Sequence, residues 1–216
     1  MYIIKEAFYS LQGEGAQTGR PSIFCRFAGC NLWNGKESSR ATSICNFCDT
    51  DILGSDGING GKFKTESELV DHILSLWPCD QTPAYIIFTG GEPALQLTQV
   101  LIDEFKSRNT ILAIETNGTL PLPNGIDWIC VSPKGASTVS LSKCDELKLV
   151  YPQLDALPER FKNIEANFYY LSPKNPLNNA PIISSQNDAL TQCMDYCMKN
   201  PKWSLSLQTH KILNIA

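Results

Sequence analysis

Cys30, Cys45 and Cys48 stand as C-x14-C-x2-C, the last two within Cys45-Asn46-Phe47-Cys48-Asp49-Thr50. A C-x2-C pair in a loop brings two thiolates to one metal centre with little backbone strain, and soft thiolates select zinc, copper(I) or an iron–sulfur cluster. A closed zinc site needs a fourth ligand. The nearest histidine in sequence, His72, falls inside a helical pattern, and no second C-x2-C completes a zinc ribbon. Three cysteines without a fourth fit a cluster with one open iron. The competing thioredoxin-like redox pair opens a helix directly after a strand and has no use for Cys30. Of the other six cysteines, Cys25 and Cys130 lie in apolar runs, and Cys193 and Cys197 share a helical face with Met194. Those four are expected to pack as small hydrophobes, with Cys79 and Cys144 unassigned.

The elements that must carry these residues follow from periodicity. Short apolar runs at 21–27, 84–88, 110–115, 128–132, 146–150, 167–171 and 203–208 read as strands, most of them too short and too uniformly apolar for half-exposed hairpins and expected to be covered on both faces. Between them lie helices. Thr65-Glu66-Ser67-Glu68 is a capping box, followed by the stripe Leu69, Val70, Ile73, Leu74, Leu76, Trp77 and closed by Pro78. Residues 95–106 present Leu97, Val100, Leu101 and Phe105, and 187–200 present Leu190, Cys193, Met194 and Cys197. Repeated strand–helix order predicts an α/β fold with a parallel sheet and right-handed crossovers, whose ligand loops collect at the C-terminal ends of the strands. Seven strands in 216 residues suit a partial, incomplete TIM-type barrel better than a full one of about 250 residues. The segment 31–62 is rich in Ser, Thr and Gly and far longer than an ordinary connection, which marks it as a functional loop inside a single domain, 1–216.

Several polar residues occupy the expected mouth. Gln12 and Glu14 flank Gly13, in a turn where backbone can approach a planar ligand. Arg26, on an otherwise apolar strand, needs an anion, either a ligand carboxylate or a salt bridge with Glu14 or Glu92. Gly90, Gly91 and Glu92 follow one strand, and Glu115, Asn117, Ser132 and Lys134 hold the same position after theirs; each alone could be a turn or cap residue, but recurrence at successive strand ends is the stronger signal. By spacing, Asp49 and Asp51 are better cation ligands than Thr50, which reads as a turn residue. His72 is expected on a solvated helix face.

With 22 acidic and 18 basic side chains the net charge is −4, and no Lys/Arg run is present. A dedicated nucleic-acid or membrane-surface binder would carry a basic footprint, so neither partner is expected. No apolar run approaches a membrane span, the N-terminus lacks signal-peptide regions, and an odd cysteine count cannot pair completely, so a reducing, cytoplasmic setting is expected.

The cysteine triplet, followed after a strand by Thr89-Gly90-Gly91-Glu92-Pro93, resembles the radical S-adenosylmethionine (SAM) enzymes. The usual spacing there is C-x3-C-x2-C, and the wider gap here is similar to one of their families, the 7-carboxy-7-deazaguanine synthases of queuosine and deazapurine biosynthesis. The matches run along nearly the whole chain: Phe8 to Gly15, Phe24 to Trp33, Phe47 to Asp51, Glu115 to Thr119, Val131 to Lys134 and Leu207 to Lys211. The resemblance implies a modified radical SAM core. Cys30, Cys45 and Cys48 would hold a [4Fe-4S] cluster whose fourth iron is chelated by SAM. The implied lyase reaction contracts 6-carboxy-5,6,7,8-tetrahydropterin to 7-carboxy-7-deazaguanine with loss of ammonia, through a 5′-deoxyadenosyl radical that is re-formed into SAM.

The same resemblance implies Thr50 as a Mg²⁺ ligand and Leu11, Gln12, Gly13, Glu14, Arg26, Thr89, His210 and the terminal carboxylate of Ala216 as substrate contacts. Phe47, Cys48, Asp49, Gly91, Glu92, Glu115, Asn117, Ser132, Pro133 and Lys134 are implied to line the SAM pocket, and Ser172, Pro173, Lys174 and Asn175 to do so on a poorer match. An external one-electron donor of flavodoxin or ferredoxin type and a homodimer complete the implied picture. Two other readings compete: another radical SAM enzyme, such as a glycyl-radical activase, and a non-enzymatic zinc module.

Overall fold

The computed structural model describes residues 1–79, 81–175 and 188–215. Among the described residues nine strands form one sheet: β1 (Tyr2–Leu11), β2 (Pro21–Phe27), β3 (Gly61–Phe63), β4 (Tyr85–Gly90), β5 (Ile111–Thr116), β6 (Trp128–Val131), β7 (Lys143–Tyr151), β8 (Glu165–Pro173) and β9 (Ser204–Leu205). Their order is β3-β1-β2-β4-β5-β6-β7-β8-β9. Strand β1 pairs antiparallel with both β2 and β3. From β2 through β9 every neighbouring pair is parallel. The edges β3 and β9 do not pair with each other, so the sheet is an open one, as the expectation of an incomplete barrel requires. All seven expected strands are present, the last cut to two residues. The antiparallel β1 and β3 are additions, and β1 was legible only as motif residues because its alternation is broken by Lys5 and Glu6.

Helices α1 (Glu66–Leu74), α2 (Gln99–Ser107) and α3 (Asp188–Lys199) cover one face of the sheet, and a short α4 (Thr209–Leu213) follows β9. The Thr65 capping box forms as expected, with both reciprocal bonds. Truncation by Thr65→Ala should cost about 1 kcal/mol, read as a shift in denaturant midpoint at unchanged slope. Helix α2 begins at Thr98, whose hydroxyl accepts from Leu101 N, rather than at Leu95. Val100 and Met194, expected on buried faces, are exposed. His72 is half-buried, not solvated: its Nε2 lies 2.8 Å from the Asn59 carbonyl oxygen and its ring packs at a tilt against Phe63. Among the described residues no helix is long and apolar enough to cross a membrane.

Period-2 alternation divides the parallel strands between two environments. On the helical side, Ile86 and Phe88 of β4 and Leu112 and Ile114 of β5 join Leu69, Ile73, Leu101 and Phe105 in one core, and Leu147 and Leu149 of β7 join Leu171, Cys193 and Trp203 in another. Tyr85, Ile87 and Ala113 point the other way and form a small apolar floor. Further along that second face, at the strands' C-terminal ends, the chain places Glu115, Lys148 and Val150.

Candidate active site

These ends open into a cavity of about 510 Å³. One end of it is thiol-lined. Cys30 follows β2, and Cys45 and Cys48 come from the long loop, packed with Leu32, Trp33, Phe47 and Ile52 in an apolar cluster separate from the main cores. A hydrogen bond between Cys45 and Cys48 lowers the Cys48 thiol to about 6 and raises that of Cys45; burial raises that of Cys30. Arg40 braces the loop, its guanidinium donating to the Cys48 carbonyl at 2.9 Å and lying over the Trp33 ring. Among the described residues no three His, Cys, Asp or Glu side chains are gathered closely enough to hold a single metal ion. Cys30, Cys45 and Cys48 share one apolar cluster, a setting that suits an iron–sulfur centre held by thiolates.

The glycines of Thr89-Gly90-Gly91-Glu92-Pro93 allow this end to close. A Cβ on Gly91 would sit 1.8 Å from the Gly29 carbonyl oxygen, and Gly90, at φ +117°, presses on the Phe27 backbone. Gly91 N donates to Phe27 O, and Glu92 N to Gly29 O. The tip of β4 thereby lies directly against the backbone that delivers Cys30. The Glu92 side chain does not face the cavity. It is fully buried and accepts from Ala94 N at 3.0 Å, Thr116 Oγ1 at 2.7 Å and Asn117 N at 2.8 Å, which ties the β4 and β5 tips together. Burial raises its pKa against those bonds. The Asn117 amide bonds Asn31 at 2.9 Å, next to Cys30.

The opposite end is charged. The Gln12 side chain folds back so that Oε1 accepts from Gly13 N and Glu14 N, and its Nε2 donates to Glu115 Oε1 at 2.9 Å. Lys148, 3% exposed, bridges Glu14 at 2.7 Å and Glu115 at 3.0 Å. Burial would push the Glu14 carboxyl up, but the Lys148 ammonium and the Gln208 amide hold it at about 2. Lys148 and its neighbour Glu146 were not singled out from the sequence. The signal was present in the alternation Glu146-Leu147-Lys148-Leu149, which puts both charges on one face of a strand that was grouped with the short apolar runs.

The C-terminal segment caps this end. Thr209 donates to Gly13 O through both N and Oγ1, and a Cβ on Gly13 would meet the His210 ring at 2.2 Å. Gly13 is therefore a seat for His210 rather than part of the lining. Burial lowers the His210 pKa, so the imidazole is neutral near pH 7. Lys211 and Asn175 both bond Asp49 Oδ2 at 2.8 Å, joining this segment to the cysteine loop.

Most of the residues singled out from the sequence meet in this one cavity. Leu11, Gln12, Glu14, Arg26, Thr89, His210, the three cysteines, Phe47, Asp49, Thr50, Gly91, Glu115, Asn117, Ser132, Lys134, Ser172, Pro173 and Asn175 all line it. Glu92, Gly13 and Pro133 do not, and Lys174 lies just beyond, its ammonium over the Phe47 ring at 5.0 Å. Ala216 lies outside the described residues. Arg26 pairs with neither Glu14 nor Glu92 but with Glu6, its cross-strand neighbour, at 2.8 Å. Asp49 and Asp51, favoured by spacing as cation ligands, are each held by an ammonium, Lys211 and Lys5 respectively. Cys25, Cys130, Cys144 and Cys193 are buried.

No family model matches the chain. Among curated proteins it is 50% identical to the 7-carboxy-7-deazaguanine synthase of Bordetella pertussis over 214 residues, 99% of each chain. It is 48% identical to the protein of that name from Bradyrhizobium diazoefficiens, again over 99% of each. The 7-carboxy-7-deazaguanine synthase of Bacteroides thetaiotaomicron is 39% identical, covering 98% of this chain and 97% of its own. Among solved structures, the crystal structure of QueE from Escherichia coli matches at a TM-score of 0.69 and 26% identity, over 96% of this chain and 93% of that one. Identity of this order along the full length of both partners, on a sheet shared with QueE, makes the chain a member of the 7-carboxy-7-deazaguanine synthase family.

Proposed function

We propose that the chain is a radical SAM lyase that converts 6-carboxy-5,6,7,8-tetrahydropterin to 7-carboxy-7-deazaguanine with release of ammonia, acting as one cytoplasmic domain in queuosine or deazapurine biosynthesis. The observation that carries this reading is a single cavity with three thiols at one end and a fixed carboxylate pair at the other. Cys30, Cys45 and Cys48 would hold the [4Fe-4S] cluster. Bound there, cluster and SAM supply the one-electron chemistry that starts hydrogen abstraction. Gly91, Asn117, Ser132 and Lys134 line the cavity with the thiols, where the amino-acid part and the ribose of SAM would lie, and Glu115 of the carboxylate pair is the further SAM contact proposed.

Recognition of the pterin falls to the charged end. Glu14, held ionised, offers two acceptors to the adjacent N–H donors of an amino-pyrimidinone edge, and charge-assisted bonds of this kind contribute about 1.5–3 kcal/mol each. Arg26 is the cation assigned to the substrate carboxylate. Glu6 satisfies one edge of its guanidinium, which also fixes the plane in which the rest is presented. Neutral His210, seated on Gly13, closes the far side. Thr50 is the proposed Mg²⁺ contact, and the commitment of Asp49 and Asp51 to lysines favours it over them. A flavodoxin- or ferredoxin-like donor and a homodimer belong to the same proposal.

The test is anaerobic turnover of 6-carboxy-5,6,7,8-tetrahydropterin by iron- and sulfide-reconstituted protein with SAM and a reductant. Formation of 7-carboxy-7-deazaguanine with one ammonia per turn is the expected outcome. Zinc in place of iron and sulfide in anaerobically purified protein, with no turnover, would favour the zinc-module reading instead.

A further inference from the structure

Lys148 is not among the groups assigned above to the cluster, SAM or the substrate, yet its ammonium is buried between two carboxylates. Its ammonium stands 2.7 Å from Glu14 and 3.0 Å from Glu115, and these carboxylates come from the turn after β1 and from β5, while Lys148 itself comes from β7. Gln12 closes the ring by bonding Glu115 through Nε2 and the Gly13 and Glu14 amides through Oε1. Gln208 adds a bond to Glu14 Oε1 at 2.7 Å. A lysine buried this deeply stays charged only when paired, because burial strips the ammonium of its water.

We propose that Lys148 is a positioning residue for the reaction: its ammonium holds Glu14 and Glu115 as one rigid anionic pair, so that the pterin-binding carboxylate is presented ready to accept two hydrogen bonds. The proposal rests on the reading of Glu14 as the carboxylate that binds the pterin.

The charges around this pair show what removal of the ammonium would do. Glu146 reaches toward the same space from β7, buried and with its pKa raised by burial, and its carboxylate takes bonds from Ala16 N and the Cys130 thiol. Cys130 from β6 is deeply buried and its thiol is neutral. His210 from α4 faces Glu14 and is neutral near pH 7. Lys148 is thus the cation that Glu14, Glu115 and Glu146 share. Without it, burial and the Glu115 charge both favour the protonated form of Glu14. A protonated carboxyl loses an acceptor and presents a donor to the donor edge of the pterin. Substrate affinity would then fall as pH falls and recover as pH rises and Glu14 ionises. In the wild-type protein Glu14 stays ionised across the neutral range, and affinity would not vary for this reason.

The experiment is equilibrium binding of pterin-6-carboxylate, a fluorescent and redox-stable probe, to cluster-loaded protein with SAM under anaerobic conditions. Lys148→Met is compared with wild type at each pH from about 6 to about 8.5, and the ratio cancels the titration of the probe itself. The expected ratio is about tenfold or more weaker near the acid end, closing toward wild type at the alkaline end. A ratio near one, or a loss that does not change with pH, overturns the proposal, since a merely structural lysine would weaken binding uniformly. If Lys148→Met does not fold, Lys148→Met/Glu115→Gln removes one charge of each sign and is read in the same way. Wild-type protein that does not bind the probe, or a Glu14→Gln variant that binds it as well as wild type, overturns the underlying reading of Glu14 and the proposal with it.

Discussion

Cys45→Ala, reconstituted anaerobically with iron and sulfide, is expected to show neither the visible absorbance nor the EPR signal of a reduced [4Fe-4S] cluster, and no turnover. Two thiolates would remain where the cluster requires three. Cys45 is 6% exposed and walled by Leu32, Trp33 and Ile52, so neither water nor a neighbouring oxygen ligand can take its place cheaply. Cysteines buried in the main cores cannot substitute for it. Cys25 belongs to the core packed under α1 and α2, and Cys144 and Cys193 to the core packed under α3. The fold itself should survive, because loss of one small buried side chain costs on the order of 1–2 kcal/mol. A variant with wild-type iron and sulfide content and an unchanged EPR spectrum would remove Cys45 from the ligand set, and with it the assignment of the C-x2-C loop.

Gly91→Ala is expected to be the most damaging single methyl in the protein. The added carbon would lie 1.8 Å from Gly29 O, 2.5 Å from its carbonyl carbon and 3.1 Å from Cys30 N. All three are backbone atoms of the segment that delivers Cys30, and backbone cannot rotate aside as a side chain can. Relief requires the tips of β2 and β4 to part, which breaks the Gly91 N to Phe27 O and Glu92 N to Gly29 O bonds and disturbs the buried Glu92 cross-link. A loss of about 3 kcal/mol or more is expected, together with poor cluster incorporation. Gly19→Ala is the control. That glycine sits at φ +86° with open space where Cβ would be, so only the conformational strain of about 1–2 kcal/mol applies. Urea unfolding and iron content of the two variants, measured side by side, check the contrast. A Gly91→Ala protein as stable and as iron-loaded as Gly19→Ala would show that the β4 tip is not pressed on the cysteine segment.

The chemistry-bearing motifs were legible because each is local. C-x14-C-x2-C, the Thr65 capping box and the Gly-Gly-Glu-Pro turn need only neighbouring residues to be read. What was misread was the partner of each charge. Arg26 was expected to meet either a ligand carboxylate or, in a salt bridge, Glu14 or Glu92; its protein partner is Glu6, because the β1–β2 register sets Glu6 beside it. Glu92 was expected to face a ligand and instead clamps two strand tips from inside. The strand at 146–150 was grouped with the short apolar runs because Leu147, Leu149 and Val150 dominate its composition, while the alternating Glu146 and Lys148 carry the charge.

By itself the sequence determined the α/β class, the strand–helix order, the three-thiol motif and the family it resembles, since these depend on periodicity and short-range spacing. Only the tertiary structure decided which charges neutralise one another. Lys148, Glu14 and Glu115 are separated by tens of residues along the chain; the parallel register of β5, β6 and β7 sets Glu115 and Lys148 on one face, and the turn after the antiparallel β1 brings Glu14 to them. An ion pair in so buried a place is set by distances of a few ångströms, and no local pattern encodes those.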